Sequence, residues 1–317
     1  VKHHLKAENN GKGASIFAPY GLRKVESLLC EEFGEENVVV SHYDNLHKFI
    51  GKNTKIVGIS SMDPVGLAYV STTYNSLIGF GGEALNSYEF KRLLDHPSIK
   101  QHKPKIIVGG AGVWQIKDAK LQNEYAIDCL FSGEAEEEFV PIVKKILNGE
   151  KIERYVKTKK VDYSKVPLIR NAATYGAVEI TRGCGRGCHF CSPTNRTKYS
   201  FPIERIMKEV EVNVKQGSKM IFTITEDMFL YKSYDGFIPN REEIVKLYET
   251  IASYEDVKYI CLSHASLAPI IYDQKILKEL TPILMEKTIR RLRKKRYITV
   301  EVGIETGSSR LMKKHMK

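Results

Sequence analysis

Long apolar runs are missing. Nowhere in the 317 residues does an uninterrupted hydrophobic stretch reach a bilayer's span, roughly 20 residues, so no membrane-spanning helix is expected. A secretory leader is not expected either, because the chain opens on the polar run Val1-Lys-His-His-Leu-Lys. A cytoplasmic protein is the expectation. Cysteine occurs only six times, too rarely for a disulfide scaffold. Low-complexity tracts are absent, and 27% charged beside 42% hydrophobic residues exclude global disorder. An initiating methionine is lacking as well. The length suits one large or two ordinary domains, either able to bury a core.

Acidic residues are in short supply. Forty-nine Lys and Arg against 38 Asp and Glu leave a formal charge of +11. The excess is local: Lys287, Arg290, Arg291, Arg293, Lys294, Lys295 and Arg296 fall within ten positions, and Lys313, Lys314 and Lys317 follow. A solvated helix end explains such a run, since cations suit a helix C-terminus. A surface for nucleic acid or another acidic partner is the sharper alternative. No aromatic residue interleaves with the cluster before Tyr297, so a nucleic-acid partner is not expected.

The hydrophobic pattern alternates between two periods. Leu22, Val25, Leu28, Leu29 and Phe33 recur at helical spacing between Tyr20 and Phe33, as do Phe139, Val140, Val143, Ile146 and Leu147. Short apolar runs read as strands at 38–40, 55–60, 105–108 and 127–131, with a glycine-rich loop at 77–83. Residues 1–13 read as a loose polar start. Continuously apolar strands between helices predict a parallel sheet over residues 1–150, with the presence of its first strand open to question. Residues 151–173, poor in apolar residues and carrying Pro167, read as a linker. Strands at 176–181, 219–225, 257–262 and 297–302 then alternate with helices at 203–214, 241–254 and 273–295, the last interrupted at Pro282, and with one from Ser308 onward. Residues 174–317 thus predict a second parallel α/β domain.

The densest chemistry is Thr181-Arg-Gly-Cys184-Gly-Arg-Gly-Cys188-His-Phe-Cys191-Ser-Pro, directly after a strand. Three thiols at Cys-x3-Cys-x2-Cys, with Gly183, Gly185 and Gly187 between them, suit wrapping of the backbone around one metal centre. Structural zinc wants four ligands, and His189 is badly placed to be the fourth. Three thiolates on an iron–sulfur cluster leave one iron open, the mark of a catalytic centre.

This motif, after the first strand of a strand–helix series, resembles the radical S-adenosylmethionine (SAM) superfamily. The resemblance implies a partial (β/α)6 barrel, with about four of six units present and the chain cut after the fourth strand. It implies that Cys184, Cys188 and Cys191 hold a [4Fe–4S] cluster whose fourth iron takes SAM's amino and carboxylate groups. One electron then cleaves SAM to methionine and a 5′-deoxyadenosyl radical. Phe190 matches the family's aromatic position near adenine. Glu226 and Asp227, after the second strand, match the acidic stretch near the amino group. Glu305, Thr306 and Ser308, after the fourth, match the ribose motif, and Ser263 follows the third beside His264. No residue is assigned as catalytic. The family also needs an electron donor such as ferredoxin or flavodoxin.

The first domain has its own likeness. Lys105-Ile-Ile-Val-Gly-Gly110 and Ile127-Asp-Cys-Leu-Phe-Ser-Gly-Glu134 are similar to the cobalamin-binding domain that precedes many radical SAM barrels. Ser60, Ser61, Gly109, Gly110, Gly133 and Glu134 would then line the cofactor. The Asp-x-His-x-x-Gly motif that supplies an axial histidine is absent; Asp63-Pro-Val-Gly66 does not fit it. Cobalamin therefore stays open at this point. The implied function is cobalamin-dependent C-methylation of an unnamed protein side chain, lipid or small molecule. A tRNA methylthiotransferase is an alternative, weakened by the presence of only Cys30 and Cys129 in the first domain. A cluster-carrying fragment without turnover is another.

Overall fold

The computed structural model describes residues 8–78, 82–158, 161–191, 196–234, 238–292 and 295–315. Residues 1–7 of the polar start, Gly79 to Gly81 of the glycine-rich loop, Lys159 and Lys160 of the linker, Pro193, Arg293, Lys294 and Lys317 lie outside them. The chain divides into two compact units, one of residues 1–16 and 21–167 and one of residues 17–20 and 168–317.

The first unit is built on a parallel sheet. Helix α1 (Tyr20–Phe33) leads into strand β1 (Ile56–Ser60), helices α2 (Tyr69–Ile78), α3 (Leu85–Leu94) and α4 (Pro97–His102), strand β2 (Lys105–Gly109), helix α5 (Val113–Asp118), strand β3 (Cys129–Ser132), helix α6 (Phe139–Leu147) and strand β4 (Tyr155–Lys157). The strands pair in the order β1-β2-β3-β4, all parallel. Alternate side chains enter opposite faces. Ile106, Val108 and Leu130 pack with Phe90, Leu94, Ile99, Val113 and Ile116. Ile107, Cys129 and Phe131 pack with Phe139, Ile142 and Val143, and with Val25, Leu29 and Phe33 of α1. Burial on both faces is why these strands read as unbroken apolar runs.

Two expectations change. Residues 38–40 form no strand: the Val40 carbonyl instead accepts from the Ser15 amide at 2.9 Å, and Ser41 makes only an isolated bridge to Ala14. The stretch read as a linker contains β4, whose half-buried Tyr155 and Val156 complete the sheet beside β3.

The second unit begins with strands β5 (Ala177–Glu179) and β6 (Thr181–Arg182). Strand β7 (Tyr199–Ser200), helix α7 (Ile203–Lys215), strand β8 (Met220–Ile224), helix α8 (Arg241–Ser253), strands β9 (Tyr259–Cys261) and β10 (His264–Ala265), and helices α9 (Leu267–Tyr272) and α10 (Lys275–Glu286) follow. The described chain closes with strands β11 (Arg291–Leu292), β12 (Lys295–Arg296) and β13 (Glu301–Val302) and helix α11 (Ser309–His315). Strands β5-β8-β9 form a parallel sheet, and β10-β13 form a second parallel pair. The fold is α/β, with a partial barrel in this unit.

Apolar stripes on α7 (Ile206, Val210, Val214), α8 (Ile244, Leu247, Ile251) and α10 (Ile276, Leu280, Leu284) are buried. Asn213, fully buried on α7, accepts from the Ala173 amide at 2.8 Å and donates to the Ala177 carbonyl at 3.3 Å. It thereby pins the entry into β5.

Helix α10 runs through Pro282 without interruption and stops at Glu286. The basic run beyond it is an antiparallel hairpin, not a helix end. The fourth strand shrinks to β13 because Tyr297, where it was expected to start, donates its amide to the Arg290 carbonyl across that hairpin. Among the described residues no helix is long and apolar enough to cross a membrane.

Candidate functional site

The cysteine loop leaves β6 and returns through β7. Thr181 pairs with Ser200 and Arg182 with Tyr199, so a two-residue antiparallel ladder clamps the loop's base. Beneath it the Ile180 amide donates to the Ile224 carbonyl at 3.0 Å, and the hydroxyls of Thr181 and Thr225 meet at 2.5 Å. The loop therefore springs from the carboxyl edge of adjacent parallel strands, where open α/β sheets bind ligands. Gly183 has φ +71°, and a Cβ there would lie 2.6 Å from the Thr197 carbonyl oxygen. Glycine is required at that position for the loop to start.

Cys184, Cys188 and Cys191 are half-buried free thiols, and the Cys191 amide donates to the Cys188 carbonyl at 3.2 Å. Burial pushes the Cys184 thiol up; the Arg186 amide and guanidinium pull it down, and Asp227 and Cys188 push it up again, leaving it raised. Among the described residues no three His, Cys, Asp or Glu side chains are gathered on a point as a bare ion requires. Thiolates that each take a different iron of a cluster need no such convergence. Three thiols on a glycine-hinged loop are a donor set that fits a [4Fe–4S] cluster with one open iron. Thr181, Gly183, Cys184, Lys198, Glu226, Asp227 and Leu230 line a crevice beside the loop.

Arg186, between the first two cysteines, anchors the loop. Its guanidinium donates to Asp227 at 2.5 Å and to the Ser266 hydroxyl at 2.6 Å, and Ser266 donates to the same Asp227 oxygen. The other Asp227 oxygen accepts from the Phe229 amide at 3.0 Å. Asp227, only 2% exposed, is thus held by protein groups, while its neighbour Glu226 is exposed on the crevice. On its far side the loop meets α11: the His189 amide donates to the His315 carbonyl at 3.0 Å, and the two rings lie edge to face.

The remaining expected residues are spread around this edge. Phe190 is 57% exposed. Ser263 is buried and donates to the Thr225 carbonyl at 2.7 Å. His264 pairs with Glu301 at 3.2 Å where β10 meets β13. Glu305 is exposed, and Ser308 caps α11 by accepting from the Leu311 amide at 3.4 Å. Among the described residues no hydrogen bond or ion pair joins Glu305, Thr306 or Ser308 to the cysteine loop. The anchors Arg186 and Ser266 were not expected from sequence. An arginine flanked by two glycines inside a metal motif was the available signal for the first; the second carried none.

In the first unit the expected residues share one edge. Ser60 ends β1 and Ser61 follows it, Gly109 ends β2 and Gly110 follows it, and Gly133 and Glu134 follow β3. The Ser61 amide donates to the Gly109 carbonyl at 3.0 Å. Gly110 has φ +92°, and a Cβ there would meet the Ser61 carbonyl oxygen at 2.6 Å. These loops put small side chains at the carboxyl edge of the sheet, where open α/β sheets bind ligands. Asp63 does not point outward as a ligand. It accepts from the Ala68 amide and Gln115 at 2.9 Å each and from the Ser71 hydroxyl. Burial alone would raise this carboxyl, but those hydrogen bonds outweigh it and hold it below its ordinary value.

Residues 178–317 match the family described as the radical SAM superfamily. The match takes in nearly all of the second unit, and the family it names implies a [4Fe–4S] cluster and SAM. The fold across both units is shared with solved enzymes of that kind. The chain is similar to the radical SAM methyltransferase TsrM from Kitasatospora setae, solved with cobalamin and a [4Fe–4S] cluster: TM-score 0.59 and 14% identity over 93% of this chain and 57% of that one. It is also similar to the cobalamin-dependent SAM radical enzyme OxsB, with TM-score 0.55 and 15% identity over 93% and 42% of the two chains.

Curated relatives are of a different kind. The tRNA-2-methylthio-N(6)-dimethylallyladenosine synthase of Thermotoga petrophila is 26% identical over 162 residues, 50% of this chain and 36% of that protein. The ribosomal protein uS12 methylthiotransferase RimO of Flavobacterium johnsoniae is 28% identical over 135 residues, 41% and 30% of the two. The chain spans about a third of the length of these relatives.

Proposed function

We propose that this chain carries the radical-generating centre of a cobalamin-dependent radical SAM methyltransferase acting on an unactivated carbon of a protein side chain, lipid or small molecule. The observation that carries the reading is the pairing, in one chain, of a three-thiol loop at one parallel-sheet edge with a serine- and glycine-lined edge in a separate parallel α/β unit. Cys184, Cys188 and Cys191 would hold the cluster; when bound and reduced it supplies the electron that cleaves SAM, and cobalamin supplies the methyl group. Arg186, locked to Asp227 and Ser266, fixes where the loop sits. Glu226 offers an exposed carboxylate beside Cys184 to an ammonium group. Phe190 offers a ring face, and Glu305 and Thr306 offer oxygens to sugar hydroxyls. Ser60, Ser61, Gly109, Gly110, Gly133 and Glu134 would line the cobalamin.

The methylthiotransferase reading draws on the curated relatives. It asks for further cluster thiols in the first unit, and Cys30 and Cys129 are both buried there. Burial pushes the Cys129 thiol up to about 11, with Asp128 and Glu153 adding to the rise, so it stays protonated and in the core. That favours methyl transfer over methylthiolation.

Trp114, the single tryptophan, is half exposed in the first turn of α5, just past the glycines of β2. Hydroxocobalamin titrated into the chain should quench its fluorescence saturably at one equivalent. Quenching that stays linear with concentration would count against the cobalamin assignment.

A further inference from the structure

The basic run of the sequence plays no part in the proposed chemistry, and its structure gives it a shape. Residues 288–292 and 295–297 are the arms of an antiparallel hairpin in which Arg291 faces Arg296 and Leu292 faces Lys295. The arms are well rooted. The Ile260 amide donates to the Lys287 carbonyl at 2.9 Å, and Lys287 reaches the Val257 carbonyl at 2.9 Å. Buried Thr288 donates to the Tyr297 carbonyl at 2.8 Å. Arg296 donates to the Met285 and Glu286 carbonyls that end α10. A rigid base thus presents a short cationic edge.

That edge is uncompensated. Arg290, Arg291, Lys295 and Arg296 are all exposed, and no acidic residue occurs between Glu286 and Glu301. Among the described residues none of these four cations makes an ion pair. Arg296 is turned to the α10 carbonyls, which leaves Arg290, Arg291 and Lys295 as the exposed cations of the hairpin open to an anion. Guanidinium forks suit phosphate oxygens in particular. The fold also supplies the aromatic that sequence spacing had set apart. The Tyr297 amide donates to the Arg290 carbonyl at 3.3 Å, so this tyrosine, 39% exposed, sits across from Arg290 at the head of the cationic edge. Cations that track a backbone beside an exposed aromatic ring are the elements of single-strand nucleic-acid binding.

We propose that this hairpin binds single-stranded nucleic acid, with phosphates on Arg290, Arg291 and Lys295 and a base stacked on Tyr297. The test is fluorescence anisotropy of the full chain with labelled oligouridylate and oligothymidylate across a KCl series. About three phosphate contacts give a log–log salt slope near −2. The triple variant R290S/R291S/K295S should lose at least about tenfold in affinity and most of that slope. Tyr297→Ser should weaken binding about tenfold and leave the slope unchanged. Preference for uridylate identifies RNA and preference for thymidylate identifies DNA; either supports the proposal. Arg291→Thr separates binding from folding: among the described residues the exposed Arg291 side chain makes no hydrogen bond or ion pair, so its removal should leave the melting temperature unchanged while binding falls. A lowered melting temperature with binding intact would overturn the proposal, as would a triple variant that binds like the parent. Equal competition by polyglutamate or phosphatidylserine vesicles, with no effect of Tyr297→Ser, would overturn it in favour of an acidic protein or a membrane surface.

Discussion

Replacing Arg186 with alanine should loosen the cysteine loop more than any other single change outside the cysteines. The substitution strips a cation from Asp227, a carboxylate 2% exposed that lies 2.5 Å from the guanidinium. Removing one partner of a buried pair costs about 3–5 kcal/mol, because the other charge is left uncompensated. The Arg186 side chain keeps 19% exposure, so solvent screening places the cost near the lower end, about 3 kcal/mol. At about 1.4 kcal/mol per decade that is roughly a hundredfold rise in local opening. Hydrogen exchange by mass spectrometry reads it directly at the Phe229 amide, which donates to Asp227, and at the Cys191 amide, which donates to Cys188. Iron bound per chain after anaerobic reconstitution should fall in parallel. Adding Asp227→Asn should recover much of the protection, since the stranded charge is then gone, and that recovery marks Arg186 as acting through Asp227. Unchanged exchange at both amides in Arg186→Ala would refute the reasoning.

Two further outcomes concern the first unit. Gly110→Ala forces a side chain onto a φ of +92° and against the Ser61 carbonyl at 2.6 Å. It should destabilise that unit by about 1–3 kcal/mol, read by the urea midpoint of Trp114 fluorescence; an unaltered midpoint would contradict the tight β1–β2 edge. Asp63 titrates below its ordinary value when folded, so its stabilisation is complete above about pH 4, the unfolded pKa, and is lost as the pH falls through the lower folded value. Asp63→Asn should therefore be less stable than the parent at neutral pH and converge with it in acid. A gap between the two that stayed constant with pH would contradict this.

How much of this was legible depended on how many residues shared each signal. Helices α1 and α6 ended where their apolar spacing ended, at Phe33 and Leu147, because each buries one continuous stripe. Strands β2 and β3 were legible because both faces are covered and nearly every residue is apolar. By contrast β4 offers only Tyr155 and Val156 at an edge, too little pattern to separate from a linker. Residues 38–40 misled in the other direction, since an apolar triplet says nothing about whether a neighbouring strand exists to receive it. Two-residue ladders such as β6–β7 and β11–β12 carry no periodicity at all, so the clamp on the cysteine loop and the shape of the basic run emerged only from the fold. The three cysteines stand out in the sequence by their spacing alone, and the fold carries them on one loop at a sheet edge. Arg186, Asp227 and Ser266 lie 41 and 39 residues apart along the chain, and only the return of the strands to one edge brings them together.

The proposed function requires Cys184, Cys188 and Cys191 to hold a four-iron cluster with one iron open to SAM. Electron paramagnetic resonance of the anaerobically reconstituted, dithionite-reduced chain tests it most directly. A [4Fe–4S] signal that changes on addition of SAM and disappears in Cys188→Ala is the predicted result, with 5′-deoxyadenosine formed only by the parent. A signal indifferent to SAM, or a cluster and 5′-deoxyadenosine persisting in Cys188→Ala, would contradict it.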